Sequence, residues 1–280
     1  IRKAEKDARE KEEKANTVKL YNTMLNSLSH ELRTPIAAII GATDNLQSAN
    51  NNLTPVHRDQ LITEISTAAL RLDRQVGNLL DMSRLESGFI KPKKTWVDIS
   101  EIVHDIVHKI EENLITQHII INISPGIPLF KTDKVMLEQI ISNIINNATL
   151  YAHQGSTLKL MVSDSIRSRG LLTFPGELPL LHRGQTNDSD TDALVKGDAL
   201  LMVIEDNGPG FPEDELPHVF DKFYRLKNSK AGGTGLGLSI VKGFTEALDG
   251  QVIIENVAGG GARFVIEIPC STSYLKVANE

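Results

Sequence analysis

Ser29-His30-Glu31-Leu32-Arg33-Thr34-Pro35 is the stretch on which the reading of this chain turns. The residues leading into it set its secondary structure. Val18, Tyr21, Leu25, Leu28 and Leu32 are spaced alternately by three and four, the a/d pattern of a helix paired with another helix. With Leu25 at a and Leu28 at d, His30 falls at f, directed away from the seam. Glu31 is its neighbour, and Thr34 lies one turn on, on the same face. Pro35 removes a backbone donor and crowds the preceding turn, so a bend is expected just beyond the histidine. Taken alone, an f-position histidine is either a solvated surface residue or an exposed nucleophile. The second reading needs an electrophile from elsewhere in the chain.

On the N-terminal side, IRKAEKDAREKEEKANT (1–17) is almost entirely charged. Ile1, Ala4, Ala8, Ala15 and Val18 carry the three/four spacing through it, interrupted at Lys11. A thin coiled-coil stalk continuous with the His30 helix is predicted, weak because alanine buries little area. On the C-terminal side, Ser48-Ala49-Asn50-Asn51-Asn52 has loop composition. Thr54-Pro55 then opens a second helix, with Thr as N-cap and Pro at N1. Its apolar stripe is Leu61, Ile65, Ala68, Leu72, Val76, Leu79 and Met82, and Gly88 closes it. One hairpin cannot bury both stripes, so a homodimer through residues 1–88, forming a four-helix bundle, is expected.

The composition suits this picture. A chain of 280 residues suggests about two domains. The net charge of −6 argues against nucleic acid or an anionic membrane as a partner. The single cysteine, Cys270, excludes an internal disulfide framework and suits a reducing compartment. No run approaches the roughly 20 apolar residues of a membrane span, and no signal peptide is visible. The first residue is Ile, so a fragment lacking its upstream part is expected.

After a linker at 89–94 the pattern becomes α/β. Strands are predicted at 95–99, 118–123, 158–163 and 199–205, and a hairpin joins 251–256 to 263–268 through Ala258-Gly259-Gly260-Gly261. Helices are predicted at 99–115, 133–152 and 235–248, the second with Val135, Leu137, Ile140, Ile141, Ile144, Ile145 and Ala148 inward. A mixed sheet with three helices on one face is the economical packing. Residues 164–198 exceed any simple strand connection and form an insertion, with a mobile loop expected near 184–193. Residues 273–280 form a tail, and 95–272 the second domain.

Four stretches in this second half bear on chemistry. Asn143 and Asn147, at i and i+4 of one helix, offer neutral hard oxygens that suit Mg²⁺, or are solvated surface amides. Asp206-Asn207-Gly208-Pro209-Gly210 follows an apolar strand. It is either a plain turn or a carboxylate that accepts from an exocyclic amine such as that of adenine. Gly233-Thr234-Gly235-Leu236-Gly237-Leu238 runs into a helix whose N-terminal amides can meet phosphate. It has neither the Lys-Ser/Thr of a P-loop nor a preceding strand. Phe220-Asp221-Lys222-Phe223-Tyr224-Arg225 offers aromatic anchors and cations, or is a short amphipathic helix.

Together these stretches resemble the histidine kinase family of two-component signalling. Ser29–Pro35 is similar to its H-box, Asn143–Ala148 to its N-box, Asp206–Gly210 to its G1 box, Phe220–Phe223 to its F-box and Gly233–Leu238 to its G2 box. They stand in the family's order, and the resemblance covers about residues 15–270. It implies a multidomain protein: a helical dimerisation and phosphotransfer domain at 18–88, then a catalytic α/β sandwich of the Bergerat ATP-binding type. The run Leu79–Gly88 and the Trp96-Val97 start resemble potassium-responsive sensor kinases in particular.

By this resemblance His30 is the phosphoacceptor, Glu31 its base, and Thr34 positions water for phosphatase action. Asn147 with Asn143 would hold Mg²⁺, and Asp206 would bind adenine. Tyr151, Gly208, Gly210, Phe211, Gly233, Thr234, Gly235, Leu236, Gly237 and Leu238 would shape the ATP pocket, and Arg225 would neutralise phosphate. The implied partner is a response regulator receiver domain. The fragment is expected in the cytoplasm, with the full-length protein anchored in the membrane by upstream segments.

Two departures stand out. The family usually has a lysine three residues after the second N-box asparagine, and here that position is Leu150. The insertion at 164–198 is the other. Two further readings compete: an ATPase sharing the nucleotide fold, as in chaperones or topoisomerases, and a dimeric scaffold that binds nucleotide without turnover.

Overall fold

The computed structural model describes residues 29–48, 53–88, 90–111, 118–151, 155–164, 198–227 and 233–274. The expected stalk, the body of the 164–198 insertion, Gly232 and the tail beyond Tyr274 lie outside these. The chain divides into two compact units. One comprises the helical region up to Ser83 with Lys222–Leu236; the other comprises Arg84–Asp221 with Gly237–Glu280. Each is taken by itself.

In the first unit, helix α1 occupies 29–48 and is continuous through Pro35. Helix α2 is Pro55–Glu86. Its start follows from Thr54. The Thr54 Oγ1 accepts the His57 N–H at 3.3 Å and its carbonyl accepts the Arg58 N–H at 3.0 Å. This satisfies donors that a helix end otherwise leaves unpaired. Replacing Thr54 by Ala is expected to cost about 1 kcal/mol in urea denaturation, with Asp or Asn at the same position restoring it. The other end closes as its glycine predicts: the Gly88 N–H reaches the Leu85 carbonyl at 3.2 Å.

The buried stripe of α2 follows the predicted one at every position but Val76, with Ile65, Leu72 and Leu79 half-buried. Leu61, Ala68, Gln75 and Met82 are buried and repeat every seven residues. Val76, expected inward, is exposed, because it lies one step off this heptad row and Gln75 takes its place. On α1 the buried positions are Glu31, Pro35 and Ala42, with Leu32 only half-buried. A carboxylate therefore occupies a seam position.

The second unit holds two sheets rather than the one expected. The larger has the order β2-β4-β5-β7-β6. Its strands are β2 (His118–Ile123), β4 (Thr157–Asp164), β5 (Ala199–Asp206), β6 (Gln251–Asn256) and β7 (Ala262–Pro269). β2 and β4 are parallel and every other pair is antiparallel, so the sheet is mixed as predicted. The smaller sheet joins β1 (Thr95–Val97), β3 (Leu129–Thr132) and β8 (Thr272–Ser273). β3 and β8 were not anticipated, since four and two residues carry no usable alternation.

Helices α3 (Ile99–Glu111), α4 (Lys134–Tyr151) and α5 (Gly237–Ala247) complete the unit. α5 begins two residues later than predicted, and 112–115 lie outside the described residues. Asp98 and Asp133 cap α3 and α4. The Asp98 Oδ1 takes the Ser100 N–H at 2.8 Å, and the Asp133 Oδ1 takes the Met136 N–H at 3.1 Å. The α4 core is Met136, Leu137, Ile140, Ile141, Ile144, Ile145 and Ala148. Val135, expected inward, is exposed: it shares its face with Glu138, Gln139 and Ser142. The central strand β5 is buried from Ala199 to Ile204, and so holds its terminal residue, Asp206, at the edge of a rigid core.

Candidate functional site

In the helical unit, α1 presents His30 and Thr34 to solvent, and the Thr34 hydroxyl donates back to the His30 carbonyl at 3.2 Å. Glu31, the next residue, is buried. Its two oxygens meet different guanidinium groups. Oε1 accepts from Arg225 at 3.0 Å, and Oε2 lies 3.5 Å from Arg71 of α2. The structure thus places Arg225 on the acid beside His30.

The same unit carries the segment around Gly235. Phe223 adopts a left-handed backbone, φ 62°, and its N–H reaches the Gly235 carbonyl at 2.9 Å. Gly235 itself has φ +69°, and a Cβ there would stand 2.6 Å from the Phe223 carbonyl carbon. Only glycine permits this approach. Thr234 and Leu236 are buried on either side, and Gly233 is half-buried. Residues 222–227 form no helix, the alternative that composition allowed: 222 and 223 turn and 224–226 are irregular.

In the α/β unit, Asp206 ends β5 and begins the glycine-rich turn. Its Oδ1 accepts the Gly208 N–H at 2.8 Å and the Ala262 N–H at 3.3 Å. Among the described residues nothing donates to Oδ2, which is left for an incoming donor. Burial raises the Asp206 pKa above the ordinary carboxylate value; the two amides oppose this and neighbouring Glu205 adds to it. Glu205 pairs with Arg263 at 2.8 Å, and the buried Arg263 also holds Glu255 at 2.9 Å.

The turn is held from two sides. Asn207 Oδ1 accepts the Thr157 N–H at 2.8 Å. Asn256 clamps Phe211: its Oδ1 accepts the Phe211 N–H and its Nδ2 donates to the Phe211 carbonyl, both at 2.8 Å. The Phe211 ring stands edge-on to Phe264, 6.4 Å between centroids. The β6–β7 hairpin closes over Asp206. Gly261 has φ +108°, and a Cβ on it would overlap the Asp206 carbonyl oxygen. Gly208 is buried and Gly210 half-buried.

Asn143 is buried, which excludes its being a solvated amide; Asn147 and Tyr151 are half-buried. The Asn143 Nδ2 donates to the Gln139 carbonyl at 2.9 Å. That bond fixes which end of the amide is turned outward. Its Oδ1 lies 3.3 Å from where a Cβ on Gly237 would stand, at the start of α5. Leu238 follows, half-buried. A neutral oxygen fixed beside a helix N-terminus is a donor set that suits a hard, hydrated divalent cation bound to phosphate. Among the described residues there is no cluster of three His, Cys, Asp or Glu side chains to hold a metal, and no helix long and apolar enough to cross a membrane.

Asn256, Gly261 and Arg71 were not singled out from sequence. Each acts through a partner distant in the chain, and no local pattern marks it. The one signal within reach was the triple glycine 259–261, read only as a hairpin turn.

Comparison with known proteins covers both units. Residues 132–272 match the family of histidine kinase-, DNA gyrase B- and HSP90-like ATPases, and residues 21–88 match the His Kinase A phospho-acceptor domain. The sensor protein KdpD of Escherichia coli is 29% identical over 255 residues, covering 91% of this chain and 25% of KdpD. Hybrid signal transduction histidine kinase D of Dictyostelium discoideum is 32% identical over 250 residues, covering 87% of this chain and 14% of that protein. The chain thus spans a quarter or less of these relatives. Among solved structures, full-length ShkA in complex with AMPPNP shares the fold. Its TM-score is 0.57 at 24% identity, over 90% of this chain and 46% of ShkA. The Acinetobacter baumannii histidine kinase AdeS has a TM-score of 0.55 at 23% identity, over 86% and 97% of the two chains.

Proposed function

Because the chain belongs to the histidine kinase family, we propose that it phosphorylates its own His30 from ATP and passes the phosphoryl group to an aspartate of a response regulator receiver domain. The observation that carries the proposal is the pairing of an exposed His30 with a buried, arginine-held Glu31 on the same helix. A nucleophile needs access, and its base needs a fixed position.

In the proposed reaction an imidazole nitrogen of His30 forms the new N–P bond with the γ-phosphorus. The bond from that phosphorus to the bridging oxygen breaks, and its electron pair leaves with ADP. Glu31 takes the proton that the charged imidazole releases. Asp206 anchors the adenine amine through Oδ2, and the clamped Phe211 and the Gly208–Gly210 turn wall the pocket. Asn147 and Asn143 would hold Mg²⁺, whose charge offsets that of the phosphate oxygens. Arg225 can serve the same end once it leaves Glu31. Thr34, exposed on the face of His30, supports a second activity, hydrolysis of the phosphorylated regulator.

The domain reading assigns 18–88 to dimerisation and phosphotransfer and 95–272 to ATP binding, with a stalk at 1–17, the insertion at 164–198 and the tail at 273–280 appended. Exposed Ile36 and Ile40 on α1, with Ile62, Leu70 and Leu80 on α2, support a homodimer in which a second hairpin covers them. Likeness to the sensor protein KdpD supports the sensor-kinase type that the Leu79–Gly88 run resembles.

The test is to incubate the chain with γ-labelled ATP and Mg²⁺. Label that is acid-labile and alkali-stable is expected, and His30→Gln is expected to abolish it. Label retained in that variant would sink the assignment. No label in the parent chain would favour a nucleotide-binding scaffold.

A further inference from the structure

The ion pairs of Glu31 point to a residue that no motif marks. Glu31 is buried in a helix seam, a place where a lone carboxylate is costly unless paired. Its pairing is divided. Arg225, on Oε1, comes from the irregular stretch 224–226, distant in sequence; Arg71, on Oε2, comes from the partner helix of the same hairpin. Both arginine side chains keep contact with solvent, at 28% and 33% exposure, while the Glu31 side chain retains 9%. The acid is therefore the fixed point of the group.

We propose that Arg71 is a positioning residue for the phosphorylation of His30: it holds the Glu31 carboxylate in the orientation from which Glu31 receives the imidazole proton. The inference rests on the reading of Glu31 as the base. Arg71 suits the task for two reasons. It stands on a helix, so its backbone is fixed, whereas Arg225 stands on an irregular stretch. It also engages only Oε2, so the carboxylate is pinned against rotation when Arg225 holds Oε1, and remains tethered when Arg225 moves to phosphate. A lysine at this position would keep the charge and one contact.

The experiment uses the whole chain and four variants: Glu31→Gln, Arg71→Gln, Arg71→Lys and the double Glu31→Gln/Arg71→Gln. Initial phosphorylation rates at saturating Mg·ATP are measured beside the Kd for ATP and the melting temperature. Glu31→Gln is expected to lower the rate by about 100-fold. Arg71→Gln is expected to lower it by about tenfold, with ATP affinity unchanged and Arg71→Lys recovering most of the loss. In the Glu31→Gln background the second substitution should have no further effect. An equal loss from Arg71→Gln in both backgrounds would mean that Arg71 acts independently of Glu31 and would overturn the inference. So would an unchanged rate in Arg71→Gln. A Glu31→Gln variant at full rate would remove the base reading, and the inference with it. Loss in Arg71→Gln that tracks a lowered melting temperature and persists in Arg71→Lys would assign a merely structural role.

Discussion

Asp206→Asn is expected to lower ATP affinity by about 100-fold or more while leaving the melting temperature unchanged or raised. The two halves have one cause. The Gly208 and Ala262 N–H groups both point at Oδ1, so an asparagine keeps these bonds only by placing its carbonyl oxygen there. Its NH₂ then takes the place of Oδ2. The acceptor proposed for the adenine amine becomes a donor facing a donor. A lost hydrogen bond to a charged group costs about 1.5–3 kcal/mol, or roughly 10- to 150-fold, and the opposed donors add to it. Stability moves the other way. Burial is the main reason the Asp206 pKa is raised, so ionising it at neutral pH costs the fold something that an amide does not. A group whose folded pKa lies above its unfolded value binds its proton more tightly when folded. Its penalty therefore appears as pH rises through the window between the two values and is absent below it. ATP affinity should accordingly fall on acidification at a higher pH than an ordinary carboxylate would give. Calorimetric titration across that range, beside thermal melts, measures both. A variant that binds ATP normally would remove adenine recognition from Asp206.

Element type was legible wherever local chemistry decides it. Thr54-Pro55 and Gly88 bracket α2 as their capping chemistry requires, and the alternation of β4 and β7 survives in their burial. Phase was less legible. Val76 and Val135 were placed inward because they are apolar, but a helix buries by angle, and each lies off the row that packs. Gln75 and Glu31 show the converse, polar residues on the row itself. A buried polar group is intelligible only with its partners, and those of Glu31 lie 40 and 194 residues away. The site divides in the same way. The motif residues could be named from sequence, but what fixes them could not. The Asn143 amide oxygen lies 3.3 Å from where a Cβ on Gly237 would stand, and Phe211 is held by an asparagine 45 residues on.

The triple glycine shows how sharply such second-half contacts can be tested. Gly261→Ala is expected to destabilise the α/β unit by about 3 kcal/mol or more, and Gly259→Ala by only about 1–2 kcal/mol. Both glycines have positive φ, at +108° and +96°, so both substitutions strain the backbone. The difference lies in what a Cβ would meet. At Gly259 nothing lies within 4 Å. At Gly261 the Cβ would overlap the Asp206 carbonyl oxygen, and no side-chain rotation relieves a clash with backbone. Relief requires the hairpin to lift. That movement would strain the Val257 N–H bond to the Gly261 carbonyl, 2.9 Å, and the Ala262 N–H bond to Asp206, 3.3 Å. Lifting the hairpin also unseats one of the two amides that orient the Asp206 carboxylate, the proposed adenine acceptor. ATP affinity should therefore drop in Gly261→Ala under conditions where the unit is still folded, and hold in Gly259→Ala. Urea denaturation followed by the near-ultraviolet signal of Trp96, with calorimetric titration of the folded fraction, separates the two effects. Equal destabilisation by both substitutions would mean that the hairpin does not bear on the Asp206 turn, and the support assigned to it would have to be given up.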